Sequence, residues 1–405
     1  EVGQTYNALV QTRLNQDQDL AVQATYRKLD VRNGKDEETI QSRVDWNANF
    51  LDGAFRSEMS YATGTGRELK RIYIYQETMP GQGTHYLRED GDPNNLNDYL
   101  EAQTVDQRRY IKIYLPTDEY VNAYTNNFTY RLATATPRSW RNEPGIKANL
   151  SNFSMLSSVS INKKTTDSDL SQRFNPFSEE VEDAFLISLV KQLRHTIYYN
   201  RSNPKYGMEY TVQQNEQKQL LKNGTETRNI LSHNVTGRLN LNEVLSSQLI
   251  LGYNVRENQS NFLSSKNFKV QARELSPELA YQPNTWLRFT GKYQLSLKQD
   301  VLEIAETEQE GTFHELGLET KLSQVGKRTI TGLVKYVNID FNGDETSYVG
   351  YEILNALRPG NNMTWSLVMQ QRLSNGLNIS VNYDGRKANG VGAVHTGRTQ
   401  VSVLF

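Results

Sequence analysis

The sequence predicts an all-β chain, a transmembrane antiparallel β-barrel with about seventeen strands in this chain and part of a larger barrel. Three observations predict it. Apolar and polar residues alternate with a period of two, most clearly where Leu287, Phe289, Tyr293, Leu295 and Leu297 interleave with Arg288, Thr290, Lys292, Gln294 and Ser296. The alternating segments run to about ten residues or more, whereas soluble strands are usually about 5–6 residues long. The connections between them are short at one end and long at the other, as in membrane barrels.

Taken in order, strands are expected near 4–14, 18–31, 39–49 and 53–62, then 126–136, 148–163, 184–200, 205–217 and 225–241. They continue near 246–260, 267–281, 285–299, 312–325, 327–340, 362–374, 376–387 and 391–405. In the first block Ile40, Val44, Trp46 and Phe50 alternate with Gln41, Arg43, Asp45 and Asn47. In the middle Leu231, Val235, Leu239 and Leu241 oppose Arg228, Asn234, Thr236 and Arg238. Towards the end Leu377, Ile379, Val381 and Tyr383 follow Met363, Trp365, Leu367 and Met369 after the hairpin signal Ser374-Asn375-Gly376. The last stretch sets Val401, Val403 and Phe405 against Arg398, Gln400 and Ser402, a closing strand ending on an aromatic, as in bacterial outer-membrane barrels.

Composition agrees. The mean hydropathy of −0.69 would exclude a helical bundle, but half of every barrel strand faces water. No apolar run approaches the about 18 residues of a transmembrane helix. Tyrosine, at 23 residues against 13 Phe and 4 Trp, suits interfacial girdles. The absence of cysteine excludes disulfides, cysteine-ligated zinc and cysteine nucleophiles. A net charge of −1 gives no reason to expect a nucleic acid partner.

With Phe405 placed at the periplasmic end, the connections at 374–376, 325–327, 282–285, 241–245, 202–205, 51–53 and 15–19 fall on the periplasmic side and are short. Those at 342–361, 300–311, 261–266, 218–224, 164–183, 63–125 and 32–38 fall outside, and most are long; 137–147 is the one long periplasmic exception. The domains are then 1–62 (strand hairpins), 63–125 (an inserted extracellular or lumen-filling domain) and 126–405 (strands to the terminus). This bookkeeping makes the first strand run downward and the count odd, so at least one strand is expected before Glu1 or from another chain. An outer-membrane protein also needs a signal peptide; it has been removed, or the chain is a piece of something longer.

The insertion carries Gly64-Thr65-Gly66-Arg67-Glu68-Leu69-Lys70-Arg71, Pro80-Gly81-Gln82-Gly83-Thr84, Leu96-Asn97-Asp98-Tyr99, Asp106-Gln107-Arg108-Arg109-Tyr110-Ile111-Lys112-Ile113 and Pro116-Thr117-Asp118-Glu119-Tyr120-Val121. Near the terminus stand Leu357-Arg358-Pro359-Gly360-Asn361-Asn362-Met363-Thr364-Trp365 and Tyr383-Asp384-Gly385-Arg386-Lys387. In this order the motifs resemble a family of very large, mostly uncharacterised outer-membrane proteins of the Bacteroidota. The resemblance implies location and architecture and carries no activity. That family often has a calcium-loop-like segment before Leu-Asn-Glu-Phe, from which this chain departs.

In a different register, Asp90, Asp92, Asn94, Leu96 (through its carbonyl), Asp98 and Glu101 fall at the spacing of oxygen ligands for Ca²⁺, with Asn95 at the turn. Pro93 is unusual there, and the alternative is a solvated acidic loop. The five histidines, His85, His195, His233, His314 and His395, include no metal-spaced pair. His195 and His233 fall on the apolar parity. The best lumen carboxylates, Asp45 and Glu58, have Arg43 and Arg56 two residues away, which would neutralise them. The lumen parity is basic: Arg13, Arg27, Arg43, Arg56, Arg131, Arg194, Arg238, Arg256, Arg288, Lys292 and Arg398, against Asp45, Glu58, Glu209, Glu315 and Glu319. Such a lining favours anions or seats an acidic plug or partner, or else it is a ladder of salt bridges. Outside, Val301–Glu310 is acidic, and Tyr348–Leu357 has a helical apolar pattern that would dock a partner or pack into the barrel mouth.

The function expected is that of a pore, or of a scaffold or translocation component working with surface lipoproteins, without catalysis or cofactor apart from that calcium. The alternatives are a membrane-embedded hydrolase and a surface-attached β-rich adhesin.

Overall fold

The computed structural model describes residues 2–30, 37–137, 139–140, 143–178, 185–302, 308–373 and 376–403. It is nearly all β, with nineteen strands in one sheet and every described pairing antiparallel. The strands are β1 (Val2–Asn15), β2 (Gln18–Asp30), β3 (Glu37–Phe50), β4 (Phe55–Glu77), β5 (His85–Leu87), β6 (Tyr99–Glu101), β7 (Tyr110–Ala135), β8 (Phe153–Thr165), β9 (Leu186–Tyr199) and β10 (Tyr206–Leu220). They continue as β11 (Thr225–Asn240), β12 (Leu245–Ser260), β13 (Phe268–Asn284), β14 (Leu287–Asp300), β15 (Glu310–Gln324), β16 (Arg328–Asn342), β17 (Gly360–Arg372), β18 (Leu377–Lys387) and β19 (Val394–Val403). Among the described residues three short α-helices interrupt them, α1 (Ile146–Leu150), α2 (Leu170–Phe174) and α3 (Tyr348–Leu354). Among the described residues no helix is long and apolar enough to cross a membrane. The long strands stand where the alternation predicts them. The Ser374-Asn375 turn residues, Phe405, the 32–36 connection and part of the acidic 301–310 segment lie outside the described residues.

Contacts divide the chain into two units: Glu1–Thr196 with Val212–Leu231 and Glu257–Asn267, and Ile197–Thr211 with Ser232–Arg256 and Phe268–Phe405. In the first, β1, β2, β3, β4, β7 and β8 pair in succession. Its residue rows keep their polarity across strands. Val44–Tyr61–Phe128–Ile161 is apolar or aromatic, and Arg43–Ala62–Asn127–Asn162 beside it is mostly polar.

The sequence alternation ends one strand near 62 and starts the next near 126, but β4 and β7 continue pairing out to Glu77↔Tyr110. Backbone ladder bonds hold this extension, and Arg67, Lys70, Arg71 and Lys112 break the alternation that would announce it. Likewise the strand expected from 148 begins at Phe153, because α1 occupies 146–150.

In the second unit β13 to β19 pair in order. Here the usual relation of polarity to burial is inverted. Leu297, Leu316, Leu318 and Val403 are exposed at 45%, 61%, 56% and 46%, whereas Thr290, Ser296, Lys298 and Asp300 are at most 8% exposed. The exception is a cluster on the polar-parity face, where α3 lays Val349, Ile353 and Leu354 on Phe268, Val270, Phe313, Val337 and Ile339.

Candidate functional site

The polar face of the second unit carries charges brought opposite one another by strand register. Lys292 on β14 stands 3.6 Å from Glu278 on β13 and 3.7 Å from Glu319 on β15. Arg288 is 4.0 Å from Glu278, and Lys335 on β16 pairs with Glu315 at 2.6 Å. Of the two arrangements open to this lining, the β13–β16 sector adopts the ladder. Beside it a concavity of about 470 Å³ is lined by Lys335, Thr364, Ser366, Asp384, Arg386 and Thr396.

α3 caps this face, as the helical apolar pattern at 348–357 allows. The Ser347 hydroxyl accepts the Gly350 N–H at 2.9 Å, and the helix ends at Asn355 with φ 51°. Charged side chains from the sheet tie it down. Lys298 Nζ donates to the Ile353 carbonyl at 2.7 Å and lies 4.2 Å over the Phe313 ring, and Arg256 bonds Glu352 at 3.0 Å. Lys298 was not among the expected lining residues. Its parity placed it there, and its burial follows only from α3.

The other basic residues divide into two groups. Arg238 donates to the Asn203 carbonyl at 2.7 Å. Arg43 pairs with Asp45 at 2.7 Å and Arg13 with Asp19 at 3.2 Å. Arg27, Arg56, Arg131, Arg194 and Arg398 make no ion pair among the described residues, although Arg131 lies opposite Glu58 in register. In the first unit the polar row borders concavities of about 320 Å³ at Gln23, Gln41, Arg43 and Asn127, and about 310 Å³ at Gln11, Arg13, Asp19 and Asp45.

All five histidines set Nδ1 against a hydroxyl, His85 against that of its neighbour Thr84 at 2.8 Å and the other four against one on the adjacent strand. Nδ1 of His195, His233, His314 and His395 meets the hydroxyls of Ser157, Tyr210, Tyr293 and Tyr383 at 2.7, 2.9, 2.8 and 2.7 Å. Ser157 beside His195 has the spacing of a nucleophile and base, yet it lies on the apolar parity and fills the role that tyrosine fills in the other three. The common reading is satisfaction of an imidazole on an apolar face.

At the tip of the β4–β7 extension, β5 and β6 pair, with His85 opposite Glu101. Tyr99 stacks on Tyr75 with ring centroids 4.2 Å apart, and Tyr110 meets its edge at 5.0 Å. Burial pushes the His85 imidazole below its ordinary pKa, against the opposing pull of Glu101. The Pro80-Gly81-Gln82-Gly83 motif has a local cause. Gly81 has φ +85°, and a Cβ on Gly83 would lie 2.5 Å from the Tyr110 nitrogen.

In the neighbouring 90–101 loop the carboxylates cap the loop itself. Asp92 Oδ1 accepts from Asn94 N and Nδ2 at 2.9 and 3.1 Å. Asp98 Oδ2 accepts from Asp92 N and Asn95 Nδ2 at 3.0 and 3.1 Å, while its Oδ1 lies 3.3 Å from Arg88. Asp92 and Asp98 thus meet across these donors, Asp90, Asn94 and Leu96 lie on the same loop, and Glu101 stands on β6. Among the described residues no group of three or more His, Cys, Asp or Glu is arranged to hold a metal ion.

No family model matches the sequence, and no curated protein matches it. Among solved structures the chain is similar to the ferric-catecholate import receptor Fiu of E. coli K12 in its open form, at 11% identity and TM-score 0.41 over 95% of this chain and 63% of that one. It is similar to the alcaligin outer-membrane receptor FauA of Bordetella pertussis, at 10% identity and TM-score 0.47 over 99% and 64%. It is also similar to the RagAB peptide transporter, at 10% identity and TM-score 0.36 over 100% and 51%. The chain therefore spans less than two thirds of the length of the two receptors.

Proposed function

We propose that the chain forms the wall of an outer-membrane β-barrel of a Gram-negative cell and serves transport, as a non-catalytic pore whose polar face is the lining. The supporting observation is the inverted burial. A soluble sheet must cover its apolar face with a second layer, and the described helices, of five, five and seven residues, are too small to do so. Hydrocarbon covers Leu316, Leu318 and Val403 instead, and water meets the lining. Within the lining α3 narrows the passage, while the arginines that make no ion pair among the described residues favour anions. Reconstitution into planar bilayers tests this. Discrete conductance steps with anion selectivity are expected, and a protein that stays monodisperse in water without detergent would refute the membrane reading.

A scaffold role with surface partners is favoured by a separate observation. The β4–β7 extension and its tip expose Ile72, Ile74, Met79, Val105 and Tyr120, at 45%, 39%, 71%, 60% and 63%. Those partners would be surface lipoproteins. Deleting 78–109 should then abolish co-purification of partners in mild detergent while leaving conductance intact.

A further inference from the structure

We infer that the segment 166–178, which carries α2, is an anchor lying in the acyl-chain region of the outer leaflet, folded back over the outer wall of the first unit. The inference rests on the outer-membrane reading above.

Three observations carry it. First, the wall beneath the segment is the apolar-parity face. Its rows Val44–Tyr61–Phe128–Ile161 and Trp46–Met59–Tyr130–Val159 continue from strand to strand. The segment covers the upper part of this face, where Phe177 meets the Phe128 ring at 4.9 Å and Ile161 is 5% exposed.

Second, the wall places four polar donors on this face, and they meet four consecutive carbonyls of the segment. Asn126 Nδ2 donates to Gln172 O at 3.1 Å, and Thr63 Oγ1 to Arg173 O at 3.4 Å. The Tyr61 hydroxyl donates to Phe174 O at 2.6 Å, and Lys163 Nζ to Asn175 O at 2.8 Å. Asn126 and Lys163 are 0% and 1% exposed. At the other end Asp169 caps the helix through the Ser171 N–H at 2.7 Å. In water the last carbonyls of a short helix need no such partners. In hydrocarbon each unsatisfied group costs several kcal/mol, so a segment resting there must satisfy its backbone from the protein.

Third, the segment leaves three large apolar side chains open at its surface, Leu170, Phe174 and Phe177 at 66%, 46% and 55%, beside the exposed Ser168, Asp169, Ser171 and Asn175. Depth agrees. At about 3.3 Å per residue and a tilt of about 40°, Thr63 stands about 20 Å above Phe55, just inside an apolar band about 25 Å tall.

The chain has no cysteine, so single nitroxide labels can be placed without background. F177C is labelled in the full chain reconstituted in lipid, and its collisions with oxygen, which partitions into hydrocarbon, are compared with those of a water-soluble nickel chelate. L316C reports the outer wall and E345C an exposed loop. Oxygen collisions should dominate at F177C as at L316C, with the reverse at E345C, and adding N126A should shift F177C towards water. Dominant nickel collisions at F177C, with L316C still in lipid, would overturn the anchor alone. Nickel collisions at both would overturn the outer-membrane reading itself. Shielding of F177C from both reagents would mean that a protein partner covers the segment, and the lipid assignment would fall.

Discussion

If α3 is the cap on the lining, Ile353→Ala should free it. Ile353 is 0% exposed and sits among eight buried residues drawn from α3, β13, β15 and β16. Removing its side chain deletes buried methyl groups and leaves a cavity, at a cost of about 2–5 kcal/mol. The loss falls on docking, since the strands beneath keep their ladders. The two polar ties, Lys298 to the Ile353 carbonyl and Arg256 to Glu352, remain, so the lower half of that range applies. About 3 kcal/mol is about a hundredfold in the undocking equilibrium. Amide exchange at Gly350 and Tyr351, whose N–H groups bond Ser347, should therefore speed by about two orders of magnitude. Exchange in β14 and β15 should not change, and single-channel conductance should rise or flicker. Leu316→Ala, on the exposed apolar face, is the control and should leave α3 protected. Unchanged exchange at 350–351, or equal acceleration throughout β13–β19, would refute the view that α3 is a separately docked element.

The other expectations concern charge, pH and backbone. Glu315→Gln with Glu319→Gln leaves Lys335 and Lys292 without these partners, so the reversal potential across a salt gradient should move towards anion selectivity; no movement would place the ladder outside the conduction path. Because the His85 pKa in the folded chain lies below the ordinary 6.5, the neutral imidazole is the form that the 78–109 tip accommodates. Its contribution is complete above about pH 6.5 and is lost as the pH falls below it. Exchange at Leu100 and Glu101 should accelerate in mild acid, and His85→Gln should abolish that dependence. Gly83→Ala sets a methyl 2.5 Å from the Tyr110 nitrogen and should destabilise the tip by about 1–3 kcal/mol, seen as faster proteolysis between 78 and 109 with the membrane-spanning strands intact.

What could be read from the sequence follows from which interactions leave a periodic trace. Seventeen long strands were legible because each must show one apolar and one polar face, and α3 was legible because Val349, Ile353, Leu354 and Leu357 repeat at helical spacing. The extension of β4 and β7 was hidden because both its faces are mixed. A ladder made of backbone bonds does not need alternation, so the segment read as an insertion.

The basic residues of the polar parity can be listed from sequence, but whether each is compensated cannot. Compensation depends on neighbours across strands, Glu278 opposite Lys292 for example, and the irregularity between Tyr281 and Asn284 that shifts this register leaves no periodic trace. The calcium spacing shows the same limit from another side. Asp92 and Asp98 stand at ligand spacing in sequence, and the structure shows what spacing does not: Asp92 Oδ1 accepts from Asn94, and Asp98 Oδ2 from Asn95 and the Asp92 N–H. The α2 anchor left its trace in exceptions to the pattern. Thr63, Asn126 and Lys163 are polar residues on the apolar parity of three different strands, and each alone is an unremarkable interruption. Register lines them into one row, Ser42–Thr63–Asn126–Lys163, directly beneath the carbonyls of 172–175. A polar row crossing an apolar wall is costly unless something polar covers it, so such interruptions, once aligned, mark where a backbone segment lies against the wall.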